Sequence, residues 1–196
     1  GPTTPPWLSR SSKSSRPTVP STKTAYFASD IDQLCREARQ SAEVTHHHPE
    51  GQAGAIAVAW AAAFASLVGK GQLEPRSSLL DFVEPRVPPG ETRLGIRKAI
   101  EMGASASIAH ATSVLGVGHR VSAPDTVPFA LWCASRHLDS YEEALWATVS
   151  GLGDRDTTCA IVGGIVVLRT GASGIPTKWL ESREPLPSNF NATASR

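Results

Sequence analysis

The stretch GLGDRDTTCAIVGGIVVLRTG, residues 151–171, places two carboxylates and a hydroxyl directly before an apolar run. The run from Cys159 to Leu168 is typical of a buried helix, and Gly171 marks its end. Asp154, Asp156 and Thr157 therefore lie at the predicted start of a core helix. Two ionised carboxylates about 4 Å apart repel by about 4 kcal/mol at an effective dielectric of about 20. Such a cluster persists only where a cation or protons neutralise it.

A second interpretation of the same residues needs no metal. Asp and Thr are common N-cap residues, and an acidic side chain in the first turn favours the helix dipole. Residues at i and i+2 do not share a helical face, so Asp154 and Asp156 converge only if Asp154 precedes the first turn. Gly151 and Gly153 permit such a turn. Taken alone, the motif leaves capping and metal binding both open.

Helical patterns extend from this segment in both directions. Pro128 fits the first turn of a helix ending near Leu138, and the apolar stripe of the next helix includes Leu152. No alternating strand pattern competes with the helical ones, so the predicted class is all-α. The first predicted helix starts near Tyr26, with Ser29 and Asp32 as a capping-box-like pair. A second pair, Ser140 and Glu143, marks the start of the predicted helix 141–152, and Gly103 is the stop of the predicted helix 94–100. The other predicted helices span about 49–69, 79–83, 105–114, 128–138, 156–170 and 175–182.

Composition and charge limit the classes of partner. The chain has 196 residues, 40% of them hydrophobic, which is sufficient for one packed core. Its 19 basic and 18 acidic residues give no support to nucleic-acid binding. Residues 1–25 hold four basic residues and no acid, so the remainder, with 15 basic and 18 acidic residues, carries a formal charge of −3. The first 25 residues are rich in Pro, Ser and Thr, and we expect them to form a disordered extension.

Cysteine usage and hydropathy indicate a reducing compartment. Cys35, Cys133 and Cys159 are isolated within apolar, helix-like runs, so we expect buried thiols and not a disulfide frame or a zinc site. The first ten residues lack the charged and apolar regions of a signal peptide. The apolar stretch Ala53–Gly69 is shorter than a membrane span of about 20 residues and dominated by Ala, so it predicts a core helix. We expect a cytoplasmic protein without membrane contact.

Four separated segments resemble the ADP-ribosylglycohydrolase family, and they occur in the family's order. The resemblance runs from about Tyr26 to Pro187, and residues 188–196 are expected to be a flexible tail. The segments are EVTHHHPEGQAGAIAVAWAAAF at 43–64, similar to T-H-x-H-P-E and a small-residue helix; LGVGHRVSAPDTVPFALW at 115–132, similar to an L-G-x-G loop and a V-P-F-A-L helix; G-D-R-D-T at 153–157, similar to the magnesium-binding G-D-x-D-T; and I-P-T-K-W-L at 175–180, similar to I-P-x-x-W-L. The resemblance implies a compact multi-helix orthogonal bundle.

The resemblance also implies a reaction and a cofactor. The expected activity is hydrolysis of the glycosidic bond between ADP-ribose and a protein side chain, so the expected partner is ADP-ribose or an ADP-ribosylated protein. Asp154, Asp156 and Thr157 are the implied ligands of Mg²⁺, with Mn²⁺ as the alternative. Three protein oxygens do not complete an octahedral shell.

Further positions match the family at the substrate. Thr45 and His46 match the family's T-H pair, whose His lies beside the substrate ribose, whereas His47 and His48 are expected at the surface. Gly116 and Gly118 are expected either to let backbone amides approach ADP-ribose or simply to form a tight loop. For Asp125, further along the same segment, a substrate contact and a helix cap both stay open.

One part of the family pattern has no counterpart here. Family members carry further metal-binding acids in a T-D-D-T-like segment near the N-terminus, and this sequence contains no adjacent pair of Asp residues. The resemblance therefore predicts a partial domain, whose N-terminal half is lost, never encoded, or supplied by a separate chain. The general base is expected among the N-terminal acids, and no residue here is assigned to it. The alternatives are a non-catalytic remnant that binds ADP-ribose or a protein, and a truncated product that folds poorly alone.

Overall fold

The computed structural model describes residues 22–74, 78–103 and 105–185. Within these residues the chain forms α-helices and no strand, which confirms the all-α class. The predicted extension lies outside the described residues as far as residue 21, and the predicted tail lies wholly outside them. The helices are α1 (Thr22–Glu43), α2 (Pro49–Gly69), α3 (Leu79–Val83), α4 (Glu91–Met102), α5 (Ile108–Leu115), α6 (Ala123–Arg136), α7 (Tyr141–Ser150), α8 (Arg155–Thr170) and α9 (Thr177–Ser182).

Three helices, α2, α6 and α8, pack against one another at the centre of the fold. The other long helices cover them: α1 packs on α2, α4 on α6, and α7 on α8. The largest fully buried side chains include Phe64 of α2, Phe129 and Trp132 of α6, and Ile165 of α8, together with Ile96 of α4. Burial of such side chains stabilises the fold by about 1.5–3 kcal/mol each. The N-termini of α2, α6 and α8 border one cleft, described below.

The apolar stretch in α2 forms a core helix, as predicted. By length and composition alone α2 could cross a membrane, but half of its most apolar window is buried inside the protein, and core helices of soluble proteins pass the same test. Its small residues allow close packing, because a Cβ added to Gly54 would lie 2.7 Å from the Cβ of Ala123 on α6. The start of α2 is therefore held directly against the start of α6.

A carboxylate from α2 caps the N-terminus of α4. Glu50 Oε1 accepts a hydrogen bond from the Glu91 amide (2.8 Å), and Oε2 accepts bonds from the amide (2.8 Å) and hydroxyl (2.7 Å) of Thr92. Burial alone would raise the pKa of Glu50, but the hydrogen bonds from Thr92 and Glu91 outweigh it and lower that pKa. Gly90 leaves room for the carboxylate, since an added Cβ would lie only 2.2 Å from Oε1.

Three local predictions are wrong. Helix α6 begins at Ala123 with Pro124 in its first turn, so Pro128 lies inside the helix and not at its start. Leu152 lies beyond α7, has a positive φ of 60° and is 64% exposed, so it does not continue the buried stripe of that helix. The pair Ser29 and Asp32 falls within α1, which begins at Thr22, so Ser29 is not its N-cap.

The cysteines agree with the prediction in one respect and differ in another. None of Cys35, Cys133 and Cys159 forms a disulfide, but only Cys133 is fully buried, and the other two are half-buried. Burial raises the pKa of the Cys133 thiol to about 12, against a smaller opposing effect of a hydrogen bond with Thr148. The Cys35 sulfur accepts a hydrogen bond from Trp60 Nε1 at 3.1 Å, which joins α1 to α2.

Candidate functional site

A cleft of about 650 Å³ lies between the end of α1, the first half of α2, and the N-termini of α6 and α8. One wall is apolar and made mainly of small side chains, including Ala38, Ala55, Val58, Ala59, Ala62 and Ile161. The polar residues of the lining are Ser41, Thr45, His46, Ser122, Thr126, Asp154 and Thr157. A concave, largely apolar site with a few converging polar groups is typical of small-molecule sites. Two of the predicted site segments thus contribute to one cleft.

Thr45 and His46 lie in the connection between α1 and α2. The Thr45 hydroxyl and His46 Nδ1 are 2.8 Å apart and share a hydrogen bond, which fixes the orientation of the ring. The His46 amide donates to the carbonyl of Ala42 at the end of α1. Gly51 leaves space beside the ring, because an added Cβ would lie 2.8 Å from the His46 Cβ. Both predicted residues therefore face the cleft and are exposed to solvent.

The neighbouring histidines do not form a metal site with His46. His48 is the N-cap of α2, and its Nδ1 accepts a hydrogen bond from the Glu50 amide at 3.2 Å. His47 is exposed and does not line the cleft. In the part of the chain that the structure describes, no three His, Cys, Asp or Glu side chains are grouped so that they could hold a metal ion. The histidine triplet thus gives one cleft residue and one helix cap.

The acidic motif lies at the start of α8, and its two carboxylates have different surroundings. Asp154 is the N-cap, as its predicted place before the first turn requires, and its Oδ1 accepts a bond from the Thr157 amide at 3.2 Å. Hydrogen bonds from the Thr157 side chain and backbone lower the pKa of Asp154, so its carboxylate is ionised at neutral pH. Asp154 and Thr157 line the cleft, but Asp156 is exposed in the first turn and does not.

The charge of Asp156 acts on another side of α8. Burial, followed by the charge of Asp156, raises the pKa of Cys159, one turn further along the helix. Thr158 is fully buried and donates its hydroxyl to the Asp154 carbonyl at 2.7 Å, which tightens the first turn. The motif therefore presents one carboxylate and one threonine hydroxyl to the cleft, while the second carboxylate lies outside its lining.

The glycine loop is a structural support of the cleft. Gly116 and Gly118 have φ values of 83° and 89°, a region that glycine adopts without strain. Their amides are engaged within the protein, donating to the carbonyls of Thr112 and Asp125, respectively. Neither glycine lines the cleft. Of the two alternatives for this loop, the contacts favour the tight turn over backbone contacts with a ligand.

The sequence pattern does not predict two backbone features in and beside the site. Val121 and Leu152 have positive φ values of 50° and 60°, and both side chains are exposed. A positive φ costs about 1–3 kcal/mol for a residue other than Gly, and it is rarest in β-branched residues such as valine. Val121 lines the cleft, and Leu152 lies two residues before Asp154. The high density of nearby glycines is the only sequence signal for an unusual backbone at Val121 and Leu152.

Comparison with known proteins agrees with the four motifs. The sequence model of the ADP-ribosylglycohydrolase family matches residues 13–195, which extends beyond Tyr26 and Pro187 at both ends. No curated protein and no solved structure matches the chain.

Proposed function

Because this chain belongs to the ADP-ribosylglycohydrolase family, we propose that it recognises ADP-ribose and hydrolyses its glycosidic bond to a protein side chain or related acceptor. One observation supports this proposal above others. Thr45 and His46 come from one family-like segment, Asp154 and Thr157 come from another, and all four line the same cleft. The volume of the cleft, about 650 Å³, falls within the usual range for a ligand of this size.

The oxygen donors at the mouth of the cleft suit Mg²⁺, or Mn²⁺ in its place. Asp154 contributes an ionised carboxylate and Thr157 a hydroxyl, and both are the hard ligands that these ions prefer. When bound, the ion would supply positive charge that polarises ribose hydroxyls and orients water. Asp156 would join the shell only after its side chain turns toward the cleft from its exposed position.

His46 has the arrangement expected of a ribose contact. Its hydrogen bond with Thr45 holds the ring in place and leaves Nε2 as the nitrogen pointing away from that bond. A ribose hydroxyl in the cleft would meet a pre-oriented imidazole, so little side-chain entropy is lost on binding. The apolar wall along α2 would exclude water from the opposite side of the ligand.

The remaining metal ligands and the general base would come from elsewhere. An octahedral ion has six positions, of which the cleft residues of this chain would fill only two or three. The described residues contain no group of three possible metal-binding side chains. All 18 Asp and Glu residues of the sequence lie within the described residues, so we infer that the missing acids belong to a separate chain that docks beside the cleft. The general base is expected among those acids.

A non-catalytic role is the second candidate function. The placement of Asp156 outside the cleft and the absence of a larger acidic group in the described residues favour it. Such a protein would bind ADP-ribose, free or attached to a protein, without turnover. Binding without release of ADP-ribose separates this candidate from the hydrolase.

Isothermal titration of the full chain with ADP-ribose, with and without Mg²⁺, tests the proposal. We expect Mg²⁺ to tighten binding, Asp154→Ala to remove that effect, and His46→Ala to weaken binding at either condition. Asp81→Ala, an exposed carboxylate on α3 outside the cleft, is the matched control and should bind as the wild type does. Release of ADP-ribose from a modified protein is then measured with the same variants. Absence of ADP-ribose binding by the wild type under both conditions would contradict both candidates.

A further inference from the structure

The loop between α5 and α6 has an unusual backbone for its length. Gly116, Gly118 and Val121 all have positive φ, at 83°, 89° and 50°. The amide of Val121 donates to the carbonyl of Gly118 at 3.0 Å, closing a turn. The positive φ of Val121 is strained, and such backbone persists only where the surroundings hold it. The contacts that hold this loop come largely from one residue, Asp125 in the first turn of α6.

Asp125 contacts the loop through its side chain and its backbone. Its Oδ2 accepts a hydrogen bond from the Arg120 amide at 2.8 Å, and its carbonyl accepts one from the Gly118 amide at 2.9 Å. The carboxylate also lies against Gly116, where an added Cβ would be 2.1 Å from Oδ1. Ser122 is the N-cap of α6, so Asp125 is not the cap of that helix, and it does not line the cleft.

The opposite side of the loop supports the start of α8. The Asp154 amide donates to the Val117 carbonyl at 2.9 Å. A Cβ added to Gly118 would lie 2.7 Å from the Asp154 Cβ, and one added to Gly153 would lie 2.4 Å from the Val117 carbonyl oxygen. The two segments therefore pack backbone against backbone, and a shift of the loop would move Asp154.

We propose that Asp125 is a positioning residue, which acts through the loop Gly116–Val121 to hold the Asp154 carboxylate toward the cleft. Asp125 itself does not touch the ligand. The expected effect on metal binding rests on the proposed function. The link from Asp125 to Asp154 rests only on hydrogen bonds and packing within the protein. Residues that orient a metal ligand typically change metal affinity about 10–100-fold when they are replaced.

Amide hydrogen exchange, followed by NMR, tests the link without metal or substrate. In Asp125→Ala we expect the Arg120 and Asp154 amides to exchange at least ~10-fold faster than in the wild type, in line with the loss of a net hydrogen bond of about 1.4 kcal/mol. The Ala144 amide, bonded to Ser140 in α7, is the internal reference and should be unchanged. Asp125→Asn keeps an acceptor for Arg120 and should restore slow exchange at Asp154. Asp125→Ser, whose side chain is too short to reach Arg120, replaces the alanine variant if that protein does not fold.

Titration with MgCl2 gives the functional readout. Asp125→Ala should weaken Mg²⁺ binding by about 10-fold, while Asp125→Asn and the control Asp81→Ala should leave it close to wild type. If the wild type binds no Mg²⁺, the proposed role of Asp154 as a metal ligand in this chain fails, whereas faster exchange at Asp154 still supports the positioning role. If the Asp154 amide stays protected while the Arg120 amide is released, the positioning role is overturned.

Discussion

Replacement of Glu50 by alanine should destabilise this protein more than replacement of any exposed glutamate. The carboxylate accepts three hydrogen bonds from the start of α4, and Thr92, whose amide and hydroxyl are two of the three donors, is fully buried. Water can replace the carboxylate at the exposed Glu91 amide but not readily at Thr92. A buried donor left without a partner costs about 1–3 kcal/mol, so the two donors of Thr92 put the cost of Glu50→Ala at about 2–6 kcal/mol. For a chain of this size, at about 2–4 °C per kcal/mol, the melting temperature should fall by roughly 4–24 °C.

Gly90→Ala tests the same contact from the other side. The φ of Gly90 is 163°, extended backbone that any residue adopts, so the alanine is opposed only by the carboxylate 2.2 Å from its Cβ. In the wild type this change should cost about 1–2 kcal/mol, because Glu50 must give up at least one hydrogen bond. In the Glu50→Ala background its effect should be close to zero, since the lower entropy of the unfolded chain offsets the poorer N-cap.

The coupling is measured by urea unfolding of the four proteins of this double-mutant cycle. We expect an interaction free energy of about 1–2 kcal/mol between the two positions. Glu101→Ala, an exposed glutamate in the last turn of α4, is the control and should change stability by less than about 0.5 kcal/mol. An equal cost of Gly90→Ala in both backgrounds would refute the described contact.

Acid should narrow the difference in stability between the wild type and Glu50→Ala. Burial raises the pKa of Glu50, but hydrogen bonds from Thr92 and Glu91 leave the folded-state pKa below the unfolded value of about 4.3. A carboxylate with a lowered folded pKa contributes stability that is present above the unfolded pKa and lost as the pH falls through the folded one. The stability gap between the two proteins should therefore be full near neutral pH and shrink below about pH 4.

Two further predictions concern α8 and the core. Gly164→Ala should raise the free energy of unfolding by about 1 kcal/mol, because an added Cβ meets nothing within 4 Å. Gly163→Ala should raise it less, because its Cβ would lie 2.9 Å from the Tyr141 hydroxyl. Equal gains of the two variants in thermal melts would contradict this reasoning. Burial raises the pKa of Cys133 to about 12, so iodoacetamide near neutral pH should leave this thiol unmodified in the folded protein and label it in urea. Mass spectrometry of the peptides checks it, and rapid labelling of the folded protein would count against the described burial.

Helix ends were predictable where the signal is local. Pro49 begins α2, Gly103 and Gly171 follow the ends of α4 and α8, and Ser140 caps α7 through the Glu143 amide. Each of these signals acts within one turn of the backbone, so the sequence alone carries it. The start of α6 was missed because Pro128 is compatible with a first turn but does not require one. Its ring packs against Gly95 of α4, a contact distant in sequence.

Four of the seven predicted site residues line one cleft, and their arrangement was not predictable from the sequence. The motifs correctly place Asp154 at the start of α8, and the structure brings Thr45 and His46 to the same cleft. The directions of the side chains depend on long-range contacts. Glu50 belongs to the T-H-x-H-P-E-like segment, but its hydrogen bonds join it to the start of α4, which is distant in sequence. The sequence predicts Asp125 as a cap or a ligand contact, and neither alternative includes its bond to the Arg120 amide.

The two interpretations of Asp154, helix cap and proposed metal ligand, are physically compatible. A carboxylate offers about four lone-pair sites, and the amide of Thr157 uses one of them through Oδ1. Hydrogen bonds from the Thr157 side chain and backbone lower the pKa of Asp154, which favours the ionised carboxylate that a divalent ion requires of its ligand. The capping hydrogen bond holds the Asp154 side chain at the mouth of the cleft without an ion, so ion binding would cost less rotamer entropy. No comparable hydrogen bond holds the Asp156 side chain among the described contacts of the motif. To ligate an ion in the cleft, the Asp156 side chain would first have to rotate, whereas that of Asp154 would not.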